Sequence, residues 1–203
     1  MTADEHALAV RYGFNRPIVE PRTLPAPELF PKKPSYVVRE KRGERLLDMM
    51  AWGFPRKVPG KKIDKATGKP VMLNQDVTNV RNYTSPFWRT AMANPERRCL
   101  VPFTAFSEYG QTRGDDGKLP LHWFDVLDQE ITSFAGVWRP LGDDQGAVFA
   151  FLTCEPNPLV APIHPKAMPV LLHKEDEAKW LECSFDDAVE LAQPYPSQLM
   201  KVE

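Results

Sequence analysis

The sequence predicts an α+β domain with a strongly curved, mainly antiparallel sheet. Short apolar runs rich in β-branched and aromatic residues outnumber the helical segments and do not alternate with them. The 21 prolines are spread along all 203 residues, which favours many ordered turns over a disordered tail. Because 42% of the residues are hydrophobic, the chain can bury one sizeable core. We therefore expect a single domain over residues 1–203.

Seven apolar runs are predicted to be strands because of their length and composition. They are Tyr36–Val38, Leu46–Trp52, Cys99–Phe103, Leu121–Leu127, Phe134–Trp138, Val148–Thr153 and Val170–Leu172.

Four helices are predicted from their start and stop signals. Thr2-Ala3-Asp4-Glu5 reads as a capping box and Gly13 as a helix end, Pro86 suits a first turn, and Ser184 suits an N-cap. The predicted helices cover Thr2–Tyr12, Ser85–Ala93, Glu175–Leu181 and Phe185–Ala192.

The charge balance argues against a protein that is basic throughout. The formal net charge is −1 and the pI is about 6.4, so any contact with nucleic acid must come from a local patch. Such a patch lies between Arg56 and Lys69, where six positive charges face Asp64 alone. This segment, predicted to be a loop, is either a solvated mobile segment or a flap that contacts phosphates.

The cysteines show no pattern of a metal site. Cys99, Cys154 and Cys183 are odd in number and lack ligand spacing, and the N-terminus shows no charged-then-apolar leader. We expect a cytoplasmic protein without a membrane partner, metal or cofactor. Cys99 and Cys183 read as small buried hydrophobes. Cys154 could pair with His164, although Glu155 would disfavour the thiolate.

His164 lies in a segment stiffened by Pro158, Pro162, Pro165 and Pro169. Proline fixes φ and removes a backbone donor, so this imidazole is held in irregular structure between two apolar runs. A held imidazole suits general acid–base chemistry, whereas the alternative is a histidine that only satisfies a loop carbonyl.

Four motifs in order resemble the SOS-response-associated peptidase (SRAP) family. They are Trp52-Gly53-Phe54, Asn79-Val80-Arg81-Asn82, Arg97-Arg98-Cys99-Leu100-Val101-Pro102 leading into Phe106-Ser107-Glu108-Tyr109, and Ala161-Pro162-Ile163-His164. The resemblance runs from about Leu29 to Leu181. It implies a barrel-like core with helices packed outside, and recognition of single-stranded DNA that carries an abasic site.

The resemblance also implies covalent capture of that site by an N-terminal cysteine. Its amine would form an imine with the open-chain aldehyde, and its thiolate would close a thiazolidine ring. By motif, the catalytic helpers are Asn79, Glu108 and His164, which match the need for an amide, a carboxyl group and an imidazole. Glu108 in an apolar strand would have a raised pKa, although a surface-facing strand glutamate is the alternative.

DNA contacts are expected at Arg81 for a flanking phosphate, at Trp52 beside the flexible Gly53 for an exposed base, and at Lys166 for a further phosphate. Trp52 could instead be a packing residue and Lys166 a solvated turn lysine. The remaining tryptophans are expected in the core: Trp88, Trp123, Trp138 and Trp180.

Thr2 stands where the family has its cysteine. We expect either that the natural start lies upstream of Met1 or that the protein is a degenerate relative. Two other functions remain open beside covalent abasic-site processing. One is noncovalent binding of single-stranded DNA, and the other is peptidase activity, mainly removal of the protein's own initiator methionine. Oligomeric state is not predicted.

Overall fold

The computed structural model describes residues 5–14, 26, 28–142 and 146–203. Within them the chain forms thirteen strands and four α-helices. The strands are β1 (Pro34–Lys41), β2 (Glu44–Trp52), β3 (Phe54–Ile63), β4 (Pro70–Val77), β5 (Asn79–Val80), β6 (Arg98–Phe103), β7 (Phe106–Tyr109), β8 (Leu121–Val126), β9 (Thr132–Pro140), β10 (Ala147–Cys154), β11 (Met168–Pro169), β12 (Leu171–Leu172) and β13 (Met200–Val202). The helices are α1 (Glu5–Tyr12), α2 (Pro86–Ala93), α3 (Asp176–Glu182) and α4 (Phe185–Glu190).

Five strands close into a ring. Strand β10 is hydrogen-bonded to both β2 and β9, and the path β2–β1–β6–β9 joins those two strands. Only the β10–β2 pairing within this ring is parallel. The predicted α+β class with a strongly curved, mainly antiparallel, barrel-like sheet is therefore confirmed. Strands β7, β8 and β13 form a separate three-stranded sheet.

Side chains of the ring alternate between two apolar clusters, as the period of two in a strand requires. Along β10, Ala150 and Leu152 belong to one cluster, while Phe149 and Phe151 belong to the other. The helices pack on the first, helix-side cluster through Trp88 and other buried residues. The second, cleft-side cluster is rich in phenylalanine and forms the floor of the cavity described below.

The helix signals are largely confirmed. Gly13 has φ +72° and its N–H donates to Ala9 O at 2.9 Å, which ends α1 as predicted. The Ser184 hydroxyl accepts the N–H of Asp187 and caps α4. The predicted capping box at Thr2 lies outside the described residues. No helix in the described part of the chain is long and apolar enough to cross a membrane.

The basic segment is not a loop, so that prediction was wrong. Strands β3 and β4 pair antiparallel as a two-stranded hairpin, and residues 64–69 form its turn. Pro55 and Pro59 are tolerated because a strand in a two-stranded sheet has a free edge. The Asp64 side chain accepts the N–H groups of Ala66 and Thr67, both at 2.9 Å, and so closes the turn.

Two of the tryptophans expected in the core are only half-buried. Trp88 and Trp180 are buried as predicted. Trp123 instead borders the cavity of the candidate site. Trp138 lies where β9 reaches the surface, and the guanidinium groups of Arg39 and Arg97 are 5.0 and 4.7 Å from the centre of its ring.

Candidate active site and nucleic-acid cleft

A cavity of about 450 Å³ opens above the cleft-side cluster, and we call it the cleft. It collects residues from elements that are distant in sequence. Five of the seven predicted site residues line it: Trp52, Asn79, Arg81, Glu108 and His164. The other two, Gly53 and Lys166, do not line it.

Glu108 and His164 form the polar centre of the cleft. Glu108 lies on β7, and Nδ1 of His164 is 3.3 Å from its Oε2. The two side chains are 27% and 29% exposed, so the pair is shielded but still reachable from solvent. Burial raises the pKa of the Glu108 carboxyl group, while the charges of His164 and Arg81 oppose this shift. The carboxyl group therefore holds its proton to a higher pH than an ordinary glutamate does.

The turn that carries His164 is held by backbone hydrogen bonds and one buried asparagine. The N–H of His164 donates to Val160 O at 2.8 Å. Oδ1 of Asn157 accepts the N–H groups of Leu159 and Val160, and its Nδ2 donates to Tyr195 O at 2.7 Å. Asn157 thus holds the backbone of the turn that carries His164, a role that sequence reasoning missed. Its only sequence signal is an asparagine between two prolines.

Asn79 lies on the short strand β5, which pairs with β10 opposite Phe151. Its Oδ1 is buried and has no hydrogen-bond partner among the described residues. Ser35 on β1 also lines the cleft, and its buried Oγ likewise lacks a partner in the described chain. An acceptor left unpaired in a buried wall is costly, so a donor bound here would be favoured.

Trp52 is anchored on one side and borders the cleft on the other. Its Nε1 donates to Thr78 O at 2.9 Å, and its ring stacks on Phe151 with centroids 5.0 Å apart. Trp52 is therefore both a packing residue and a wall of the cleft. Trp123 lines the cleft as well, although it was expected in the core.

Gly53 and Lys166 have different surroundings from those expected. Gly53 is buried at the sharp passage from β2 to β3, with φ +127° and its N–H bonded to Phe149 O at 2.8 Å. It lies at a corner of the fold with its N–H hydrogen-bonded, and the flexibility predicted for it stays a prediction. Lys166 is exposed outside the cleft.

The described cysteines are poorly suited to act as nucleophiles in this cleft. None of them lines it. Burial raises the pKa of the Cys154 thiol to about 12, with a further rise from Glu155, so its pairing with His164 is disfavoured. Burial also raises the pKa of Cys99. No three His, Cys, Asp or Glu side chains in the described ranges lie close enough together to hold a metal ion.

The fold has similar solved structures at low sequence identity. A Bordetella bronchiseptica protein superposes with a TM-score of 0.73 at 21% identity, over 98% of this chain and 94% of that one. A Bacteroides thetaiotaomicron protein gives 0.70 at 22% identity, over 100% and 88%. A phage-related protein of Bordetella bronchiseptica gives 0.66 at 16% identity, over 100% and 90%.

Comparison of the sequence itself gives the family. No curated protein matches the chain. The family model described as SOS response associated peptidase (SRAP) matches residues 1–203, which is the whole sequence. The ring of strands and the four ordered motifs agree with this match, and the chain belongs to the SRAP family.

Proposed function

We propose that the cleft binds single-stranded DNA at an abasic site and supplies the acid and base for its covalent capture. The observation that carries this proposal is the Glu108–His164 pair at 3.3 Å, shielded in a cleft that also contains Arg81 and Asn79. A carboxyl group with a raised pKa beside an imidazole is suited to proton transfer. Membership of a family associated with the SOS response supports a DNA partner and a cytoplasmic location.

The proposed chemistry joins an N-terminal cysteine to the abasic aldehyde with loss of one water molecule. The amine adds to the carbonyl carbon to give a neutral carbinolamine, and protonated Glu108 gives its proton to the departing hydroxyl, so that water leaves and an iminium ion forms. His164 takes the proton that the thiol loses, and the thiolate then adds to the iminium carbon and closes the ring, which keeps its N–H. Asn79 Oδ1 would accept an N–H of the amine, and Arg81 would contact the phosphate beside the lesion.

A cysteine is absent from the first residues of this sequence, which begins Met1-Thr2-Ala3. The test is therefore a denaturing gel of two chains, one extended at its N-terminus by Met-Cys and one by Met-Ser. Each is incubated with a single-stranded oligonucleotide that carries one abasic site. We expect a heat-resistant, retarded band from the Met-Cys chain alone, and equal noncovalent binding by both chains on a native gel.

Each outcome of this gel has a definite meaning. A Met-Cys chain that binds the strand but forms no adduct contradicts covalent capture. That result would favour the second candidate function, noncovalent binding of single-stranded DNA. The described residues that line the cleft include no cysteine, which also supports this candidate. Absence of binding by both chains contradicts a DNA function altogether.

Peptidase activity on other proteins has weaker support. Serine proteases need a hydroxyl activated by a neighbouring base. The buried Ser35 Oγ in the wall of the cleft has no hydrogen-bond partner in the part of the chain that the structure describes. Turnover of a peptide substrate that stops in Glu108→Gln would reverse this ranking.

A further inference from the structure

The β3–β4 hairpin is an arm of the fold. Its strands pair with each other, whereas the other strands belong to the ring sheet or the three-stranded sheet. Strand β3 has 10 residues, so the arm is about 30 Å long at the usual rise of a strand. Three apolar side chains on it, Ile63, Met72 and Leu73, are about half exposed. An arm of this length, over which none of the described strands or helices packs as a layer, is placed to contact a partner.

Its charge points to a polyanion. All six cations of the arm are exposed, and none forms an ion pair within the described residues: Arg56, Lys57, Lys61, Lys62, Lys65 and Lys69. Its two acids are already engaged, Asp64 by N–H groups of the turn and Asp76 by Lys32 at 3.0 Å. Because the whole chain has a net charge of −1, the remainder of the molecule is acidic. The arm therefore has a net positive charge, whereas the rest of the chain has a net negative one.

A polar path connects the arm to the cleft. A second cavity of about 460 Å³ lies at the base of the hairpin and is lined by Arg56, Gln75 and Asp76. Asn79 and Arg81 line both this cavity and the cleft. Two cations thus lie along this route. The charge of Arg81 acts on Glu108, and Arg56 lines the second cavity with its guanidinium 5.4 Å from the Phe87 ring.

We propose that the arm binds the phosphates of the same DNA strand on one side of the abasic site. This inference rests on the proposed function of the cleft. It adds the arm to the surface that binds the DNA strand. The strand would pass from the cleft over Arg81 and Arg56 and continue along the lysines of the arm. Contacts of this kind add affinity without reading sequence and depend strongly on salt. A second copy of the chain is a poorer occupant, because two arms of the same charge repel.

The test compares two triple variants that remove the same charge. Lys61→Gln/Lys62→Gln/Lys65→Gln alters the arm, and Lys41→Gln/Lys174→Gln/Lys179→Gln removes three exposed lysines elsewhere. Fluorescence anisotropy is measured with labelled strands that carry an unreactive tetrahydrofuran abasic analogue. One strand has about three nucleotides on either side of it, and two others extend to about ten on the 5′ or the 3′ side. Melting temperatures verify that both variants are folded.

We expect the arm variant to bind one of the two extended strands on the order of tenfold more weakly, with a salt slope lower by about 2. Its affinity for the short strand should equal that of the unaltered chain, and the control variant should bind all three strands normally. If both triple variants bind every strand alike, the arm inference fails while the proposed function stands.

Other outcomes separate the two proposals. The unaltered chain could fail to bind the short strand while the arm variant binds one extended strand more weakly than the unaltered chain does. That result would support the arm and overturn the role of the cleft. Absence of binding to every strand overturns both. Self-association that is abolished by Met72→Ser/Leu73→Ser, with unchanged DNA affinity, would assign the arm to a second copy and overturn the inference.

Discussion

Nδ1 of His164 lies 3.3 Å from Oε2 of Glu108, although one residue comes from a proline-rich turn and the other from β7. This distance places a carboxyl group beside an imidazole, the arrangement that the proposed proton transfers require. The first prediction therefore concerns the rate of adduct formation.

Glu108→Gln in the chain extended by Met-Cys should slow adduct formation by about 10²- to 10⁴-fold, because an amide cannot donate the proton that imine formation needs. The rate is followed on denaturing gels at saturating DNA. Glu130→Gln, at an exposed site, is the matched control. The two side chains are proposed to act as a unit, so adding His164→Gln to Glu108→Gln should slow the reaction little further. An unchanged rate in Glu108→Gln would exclude Glu108 as the acid.

The raised pKa of Glu108 predicts how stability changes with pH. Burial disfavours the carboxylate more than His164 and Arg81 favour it, so the pKa in the folded state lies above the ordinary value of 4.5. The unfolded chain releases this proton first, so the free energy of unfolding falls as pH rises from about 4.5 through the raised pKa. Glu108→Gln has no carboxyl group to titrate, so its free energy of unfolding does not fall for this reason. Its stability relative to the unaltered chain should therefore increase as pH rises from about 4.5 through the raised pKa.

Urea denaturation at several pH values measures this difference. The same comparison in a His164→Gln background separates the titration of Glu108 from that of its partner. If the difference in free energy of unfolding between Glu108→Gln and the unaltered chain stays constant with pH, the fold does not shift the pKa of Glu108.

Arg81 is predicted to act on both DNA and Glu108. Its positive charge lowers the pKa of Glu108, so Arg81→Gln should shift the Glu108-dependent limb of the pH–rate profile to higher pH. The same change should reduce the salt slope of single-strand binding by about 0.7, the value for one lost phosphate contact. Arg89→Gln, exposed on α2, should change neither quantity. A lower affinity with an unchanged profile would separate Arg81 from the acid–base pair.

The strands of the ring could be predicted from sequence because each is a short apolar run. Along β9 and β10 nearly every position is buried on one cluster or the other, so composition alone identifies them. The β3–β4 arm could not be found in this way. It is exposed on most positions and contains prolines and lysines, and its pairing depends on cross-strand register.

The site was predicted only in its parts. The prolines around His164 indicate a stiff segment, and the family motifs indicate Glu108, but neither pattern fixes the distance between them. The turn that carries His164 is anchored by Asn157, whose Nδ2 donates to the carbonyl of Tyr195, 38 residues further along the chain. Contacts between residues so distant in sequence leave no local pattern. The surroundings of Gly53 likewise come from distant segments, since its N–H donates to Phe149 O on β10 and a side chain there would meet Asp76 on β4.

Arg98 is predicted to be a major determinant of stability. It is fully buried on β6, and its guanidinium donates to the carbonyls of Met92, Trp180, Cys183 and Ser184. It therefore ties the ends of α2 and α3 to the ring. Replacement by methionine leaves these acceptors without their donor and should lower the free energy of unfolding by at least about 3 kcal/mol.

Urea denaturation of Arg98→Met beside Arg89→Met tests this prediction. The second variant makes the same chemical change at an exposed position of α2, so it should lie within about 0.5 kcal/mol of the unaltered chain. Equal stabilities for the two variants would mean that water or neighbouring groups satisfy the carbonyls when the guanidinium is absent.

Gly53 is predicted to fix where the arm leaves the ring. Its φ is +127°, which a residue with a side chain rarely adopts, and a Cβ placed there would lie 2.9 Å from Cβ of Asp76 on β4. Gly53→Ala should therefore cost about 1–3 kcal/mol and displace the base of the arm from Asn79 and Arg81. Gly68→Ala is the matched control, because Gly68 also has positive φ (+67°), whereas a Cβ added to it would meet no described atom within 4 Å.

Denaturation and single-strand binding are measured for both alanine variants. Gly68→Ala should lower the free energy of unfolding only by the strain of one left-handed alanine, about 1–2 kcal/mol. It should bind DNA normally. Gly53→Ala should lose more stability and should also bind the extended strand more weakly, because the polar path between the cleft and the arm is disturbed. If the two variants behave alike in both measurements, the contact between Gly53 and Asp76 does not set the position of the arm.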